Sequence, residues 1–123
     1  MIENYNRAVG QYGEKLAADY LLRHRCKIID KNFRTRFGEI DLIAKDCELL
    51  VFVEVKNYSC RSFYLPSFSI DKNKRQCIIK AAKVYLFKKN IRNINCRFDV
   101  ITIYKDHHGD KKIEHYKNAF EIC

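Results

Sequence analysis

Glycine occurs four times in this sequence and proline once, as Pro66, and no repeat or low-complexity stretch interrupts it. No glycine-rich nucleotide loop can be assembled, and no nucleophile constellation stands out, so kinase chemistry and hydride transfer have no support. Long apolar runs are also missing. The longest, Leu49 to Val53, is far short of the roughly 20 residues that cross a bilayer. The first residues carry no apolar signal-peptide core, which leads us to expect a cytoplasmic protein with no membrane partner. The six cysteines form no C-x-x-C pair and no zinc-like spacing, so free thiols are expected. Acidic residues are few beside basic ones, 15 against 24 in 123 residues, for a net charge of +9. That excess in one small domain points to a polyanionic partner, nucleic acid first and an anionic membrane surface second.

What is present suffices for one folded domain over residues 1–123. Hydrophobic residues make up 47% of the chain, enough to close a core and argue against disorder. Val9, Leu16, Ala17, Ala18 and Tyr20 recur at helical spacing and predict a helix over 7–25. Residues 26–37 read as extended, anchored by Ile28, Ile29 and Phe33. Strands follow at 38–44 and 49–56, joined by the short polar segment Lys45-Asp46-Cys47-Glu48. Residues 57–70 read as a loop around Pro66. Asp71 is a plausible N-cap for a second helix, whose inward stripe is Ile78, Ala81, Ala82, Tyr85 and Leu86. A strand at 97–104, a turn at His107-His108-Gly109 and an edge strand at 112–116 complete the order. The result is a mixed sheet flanked by helices, with a parallel pair connected through the second helix.

The hairpin carries the chemistry. Side chains alternate along a strand, so Glu54 and Lys56 share a face. A two-residue turn at 46–47 pairs Asp41 with Phe52 and Glu39 with Glu54. A turn at 47–48 pairs Asp41 with Glu54 and Glu39 with Lys56. Either register gathers Glu39, Asp41, Glu54 and Lys56 on one face, whereas a three-residue turn would disperse them. A half-exposed hairpin with cross-strand Lys–Glu pairs would use the same residue types. Here, however, Glu54 and Lys56 interrupt a strongly apolar run, where charge is costly. Carboxylates this close repel unless they share a hard cation. Mg²⁺ or Mn²⁺ held by one or two of them can acidify water and stabilise a phosphodiester under attack, with a lysine alongside.

Gly10-x-x-Gly13-Glu14-x-x-Ala17, Phe37-Gly38-Glu39-Ile40-Asp41-Leu42-Ile43 and Phe52-Val53-Glu54-Val55-Lys56 together resemble the YraN family of bacterial proteins. Lys74 with Ala81-Ala82 and Tyr85-Leu86, then Arg97-Phe98-Asp99-Val100, extend the likeness over nearly the whole chain. That family resembles the PD-(D/E)XK nucleases, close in plan to archaeal Holliday junction resolvases. The resemblance implies a restriction endonuclease-like three-layer α/β/α fold. It implies Asp41, Glu54 and Lys56 as catalytic core, with Asp41 and Glu54 as metal ligands and Glu14 as an accessory metal or site carboxylate. The family commonly has a basic residue two positions after the motif lysine. This chain has Tyr58 there, and Arg61 is the nearest substitute.

Arg34, Arg36, Arg61, Lys72, Lys74 and Arg75 are the candidate phosphate contacts around such a site. Asp99, between apolar neighbours, reads as structural, paired to Arg97 or Lys74. The sequence thus leads us to expect a metal-dependent nuclease acting on DNA, branched or damaged DNA included. A non-catalytic nucleic-acid-binding module on the same fold and a protein-interaction module stand as alternatives. A symmetric homodimer is the oligomer expected of an enzyme that acts on two strands.

Overall fold

The computed structural model describes residues 2–58 and 71–120, with side chains from residue 11 onward. It contains α1 (Ile2–Arg23), β1 (Lys27–Arg34), β2 (Glu39–Asp46), β3 (Leu49–Asn57), α2 (Lys72–Lys88), β4 (Cys96–Lys105) and β5 (Lys111–Phe120). The five strands form one sheet in the order β1-β2-β3-β4-β5. Neighbours are antiparallel except β3 and β4, which pair in parallel from Leu50–Cys96 to Asn57–Ile103. That pair is the one connected through α2, as a crossover requires. The protein is therefore α/β, with a mixed sheet flanked by helices. Among the described residues, no helix is long and apolar enough to cross a membrane.

Each helix covers one face. Ala17, Ala18 and Leu21 of α1 pack on Leu42, Ala44, Val51, Val53, Ile101 and Ile103. Ile78, Ile79, Ala81, Ala82 and Tyr85 of α2 pack on the opposite face, with Ile43, Leu50, Phe52, Phe98 and Val100. With both faces covered, β3 reads as an unbroken apolar run from Leu50 to Val53 rather than an alternating one. Asp71 caps α2, its Oδ1 accepting the Lys74 N–H at 2.7 Å.

Several boundaries differ from the sequence-based ones. The first helix begins at Ile2, ahead of Val9, the first apolar residue at the helical spacing, because a helix once nucleated propagates through residues that add nothing to its stripe. The last strand extends to Lys111–Phe120; Phe120 is buried in the α2-side core. The turn before it is polar as expected. Gly109 takes φ 82°, and Asp106 Oδ1 accepts the N–H groups of His108 and Asp110.

Asp99 is completely buried on β4. Its partners are Arg97, through Nε at 2.8 Å and Nη2 at 2.9 Å, His115 Nε2 at 2.7 Å and the Asn118 N–H at 3.0 Å. Of the two partners expected, Arg97 is realised, and Lys74 lies beside Glu54 instead. Burial alone would raise the Asp99 pKa, but the bonds from His115, Arg97 and Asn118 outweigh it and hold the carboxyl below its ordinary value. The stability it contributes is present above the ordinary carboxylate range and is lost as pH falls through the depressed value. Asp99→Ala removes the carboxylate that Arg97 and His115 share and leaves Arg97 only Asp46, at 3.4 Å. Urea unfolding at neutral pH should show a loss of about 3–5 kcal/mol; a loss under about 1 kcal/mol would mean that this network does not hold β5.

Candidate active site

The hairpin closes through Cys47 and Glu48, and its ladder runs from Asp46–Leu49 to Leu42–Val53. Cys47 takes a left-handed φ of 56° to make the turn. Carried one residue further, this register sets Asp41 opposite Glu54, the second of the two expected pairings. Backbone pairing ends there. The Val55 N–H donates to Asp41 Oδ2 at 2.8 Å, so a side chain takes over from the ladder.

The other side of β2 bends at the same point. Asn32, with φ 52°, lies between the Lys31–Leu42 and Phe33–Ile40 pairs, opposite Asp41. Strict alternation would put Ile40 and Ile43 on opposite faces, yet both join the α2-side core. The hairpin is thus kinked at its acidic end, and side chains do not alternate uniformly along β2 as strand parity predicts. Glu39 pairs with Arg34 across β1 and β2 at 3.5 Å.

Glu54 is buried, only 7% exposed, at the end of the enclosed part of β3. Lys74 Nζ of α2 stands 3.8 Å from its Oε1 and Lys56 Nζ 4.0 Å. Two cations do not offset its surroundings. Burial, and then the Asp41 charge, push the Glu54 pKa up to about 7 against the pull of Lys74 and Lys56. Asp41 is also raised, first by burial and then by Glu39, against the Val55 N–H bond and both lysines. Glu14 of α1 is raised by burial and by Asp41, while a hydrogen bond with Asn32 opposes the shift. Four elements, α1, β2, β3 and α2, therefore bring charged groups to one end of the sheet.

Glu14 reaches this end because α1 passes close to β3. A Cβ at Gly13 would stand 2.8 Å from Asn57 Nδ2 and 3.3 Å from Asn57 Cβ, so glycine permits the approach. Neither Asn32 nor Asn57 was legible as a site residue. Asn32 carries a weak signal, since asparagine tolerates positive φ and marks strand irregularities. The basic candidates divide. Lys74 joins the carboxylates. Arg34, Lys72 and Arg75 are exposed, as is Arg36, which lies 4.8 Å over the Phe37 ring. Arg61 lies outside the described residues. Among the described residues, no three His, Cys, Asp or Glu side chains converge as a metal-binding group.

Residues 13–103 match the model of the Uncharacterised protein family UPF0102. The chain belongs to the UPF0102 family. The UPF0102 protein of Geobacter sulfurreducens is 44% identical over 120 residues, covering 98% of this chain and 94% of that one. That of Thermodesulfovibrio yellowstonii is 47% identical over 112 residues, covering 91% and 95%. UPF0102 is the YraN family that the motifs resemble. Among solved structures, the chain is similar to Pyrococcus furiosus SfsA in complex with Ca²⁺, with a TM-score of 0.42 and 16% identity. The match covers 95% of this chain and 65% of that one.

Ionising Glu54 weakens the fold, because its pKa is higher in the folded state than in the unfolded chain. In the presence of chelator, stability should fall as pH rises from about 4.5, the ordinary value, through about 7. Glu54→Gln should flatten that slope and be more stable than the parent at pH 8, by on the order of 2 kcal/mol. Thermal melts between pH 5 and 8 check this; parallel curves for the two proteins would contradict it.

Proposed function

We propose that this chain is a divalent-metal-dependent nuclease that hydrolyses phosphodiester bonds in DNA, branched or damaged DNA included. The observation that carries the reading is the buried Glu54 carboxylate beside Asp41 with Lys56 and Lys74 within about 4 Å. A restriction endonuclease-like plan agrees with a mixed sheet covered by one helix on each face.

The donors fit a hard cation. Asp41 and Glu54 offer carboxylate oxygens, and both are held above their ordinary pKa by burial, a cost that a divalent charge would reverse. With no three-ligand group among the described residues, the pair matches the Mg²⁺ or Mn²⁺ pattern of one or two carboxylates completed by water and substrate phosphate. A bound ion would supply an acidified water and neutralise charge on the phosphate.

The remaining work falls to side chains. Val55 N–H fixes the orientation of Asp41. Lys74 keeps Glu54 from being more basic still. Lys56, beside Glu54, would orient the attacking water and stabilise negative charge developing on the phosphate oxygens. Glu14 would be an accessory carboxylate, holding further water of the ion's shell. Arg34, Arg36, Lys72 and Arg75 would grip flanking phosphates.

Labelled duplex, single-stranded and four-way-junction DNA, incubated with Mn²⁺ or with chelator, test the proposal. Cleavage should require the metal. Glu54→Ala and Lys56→Ala should each lower it by about 100-fold or more, while binding in chelator persists. Cleavage unchanged in both variants would overturn the assignment. Binding without any cleavage by the parent would leave a binding module.

A further inference from the structure

The outer face of α2 has no covering element among the described residues, and its charge has one sign. Every charged residue between Asp71 and Asp99 is Lys or Arg. Gln76, Lys80, Lys83 and Phe87 follow the i, i+4, i+7, i+11 spacing of a single helix face, and all four are exposed. The buried stripe of Ile78, Ala82 and Tyr85 lies on the other side.

Phe87 is the exception on this face. It is 87% exposed, the most exposed of the large hydrophobic side chains among the described residues, and Lys88 and Lys89 follow it directly. The basic surface also widens sideways. Lys80 Nζ lies 5.6 Å from the centroid of the Phe37 ring, over which Arg36 also stands. At its N-terminal end the same helix carries Lys74, 3.8 Å from Glu54. One rigid helix therefore connects the candidate site to an exposed aromatic ring about 20 Å away, at 1.5 Å per residue.

We infer that the outer face of α2 is a track for single-stranded nucleic acid, with Lys80 and Lys83 on its phosphates and Phe87 stacking on an unpaired base. The inference rests on the nucleic-acid substrate proposed above and not on cleavage. Cations beside an exposed ring are what single strands need, because the backbone is bound by charge and the bases by stacking. A paired base offers Phe87 no free face, so the ring should discriminate single strands from duplex. An anionic membrane or an acidic protein would use the lysines but would not make that distinction.

Fluorescence anisotropy in chelator, with a labelled 20-nucleotide single strand and the matching duplex, reads binding apart from cleavage. Phe87→Ala should weaken single-strand binding about fivefold or more, leave duplex binding unchanged, and be rescued by Phe87→Tyr. Lys80→Glu with Lys83→Glu should weaken both and lower the salt slope for single strands by about 0.7 for each phosphate no longer neutralised. Both variants change exposed residues, and their melting curves confirm folding. Single-strand affinity unaltered in Phe87→Ala and in the double variant would overturn the inference, whatever Glu54→Ala does to cleavage. So would equal losses for single strand and duplex in Phe87→Ala. Binding to phosphatidylserine vesicles in place of DNA would overturn it in favour of a membrane. Self-association that disappears in Phe87→Ala without any effect on DNA would overturn it too, assigning the ring to an interface between copies.

Discussion

Glu54 is a carboxylate carried at the end of the buried run of β3, away from the hairpin turn, and the surrounding elements act on its charge. β3 is buried on both faces through Val53, and Glu54 follows directly, still shielded from water. Desolvation penalises its ionised form. Asp41, set opposite by the hairpin register, adds repulsion, and Lys56 and Lys74 return only part of the balance. The group is left titrating near neutrality.

Asp99 shows that burial alone does not produce this state. It is more deeply buried than Glu54, yet its pKa is lowered. The difference lies in partners. Asp99 receives directed bonds from a guanidinium, an imidazole and a backbone N–H, all between 2.7 and 3.0 Å. Glu54 has two ammonium groups at 3.8 and 4.0 Å and a carboxylate neighbour. One acid is fully satisfied by the protein and holds strands together. The other is left short of positive charge, as the proposed site for a cation and a phosphate requires.

The hairpin was legible because its information is local. Apolar residues bracketing a short polar turn define two strands, and parity then brings Asp41, Glu54 and Lys56 toward one another. The sequence left two registers open, since Asp46-Cys47 and Cys47-Glu48 serve comparably as turn residues; the structure takes the second, with Cys47 left-handed. The kink at Asp41 was not legible. It depends on Asn32 of a neighbouring strand adopting φ 52° opposite it, a feature that side-chain parity within one strand cannot reveal. Lying four residues before Ile78, Lys74 falls at the edge of the inward face by helical spacing, but that spacing does not name its partner. The choice of Glu54 over Asp99 depends on where α2 crosses the sheet, and Asp99 is already occupied by His115 and Asn118 from β5. Long-range pairing of this kind leaves no mark in local sequence.

The central claim is that Asp41 and Glu54 together hold one divalent cation. Calorimetric titration of the chelator-treated protein with Mn²⁺, repeated in buffers of different ionisation enthalpy, tests it without reference to any substrate. The account predicts one site per chain, lost in Glu54→Gln and in Asp41→Asn. Binding near pH 7 should release roughly half a proton from Glu54, because its pKa lies near that pH. Absence of Mn²⁺ binding, or binding that survives both substitutions with no proton released, would contradict it.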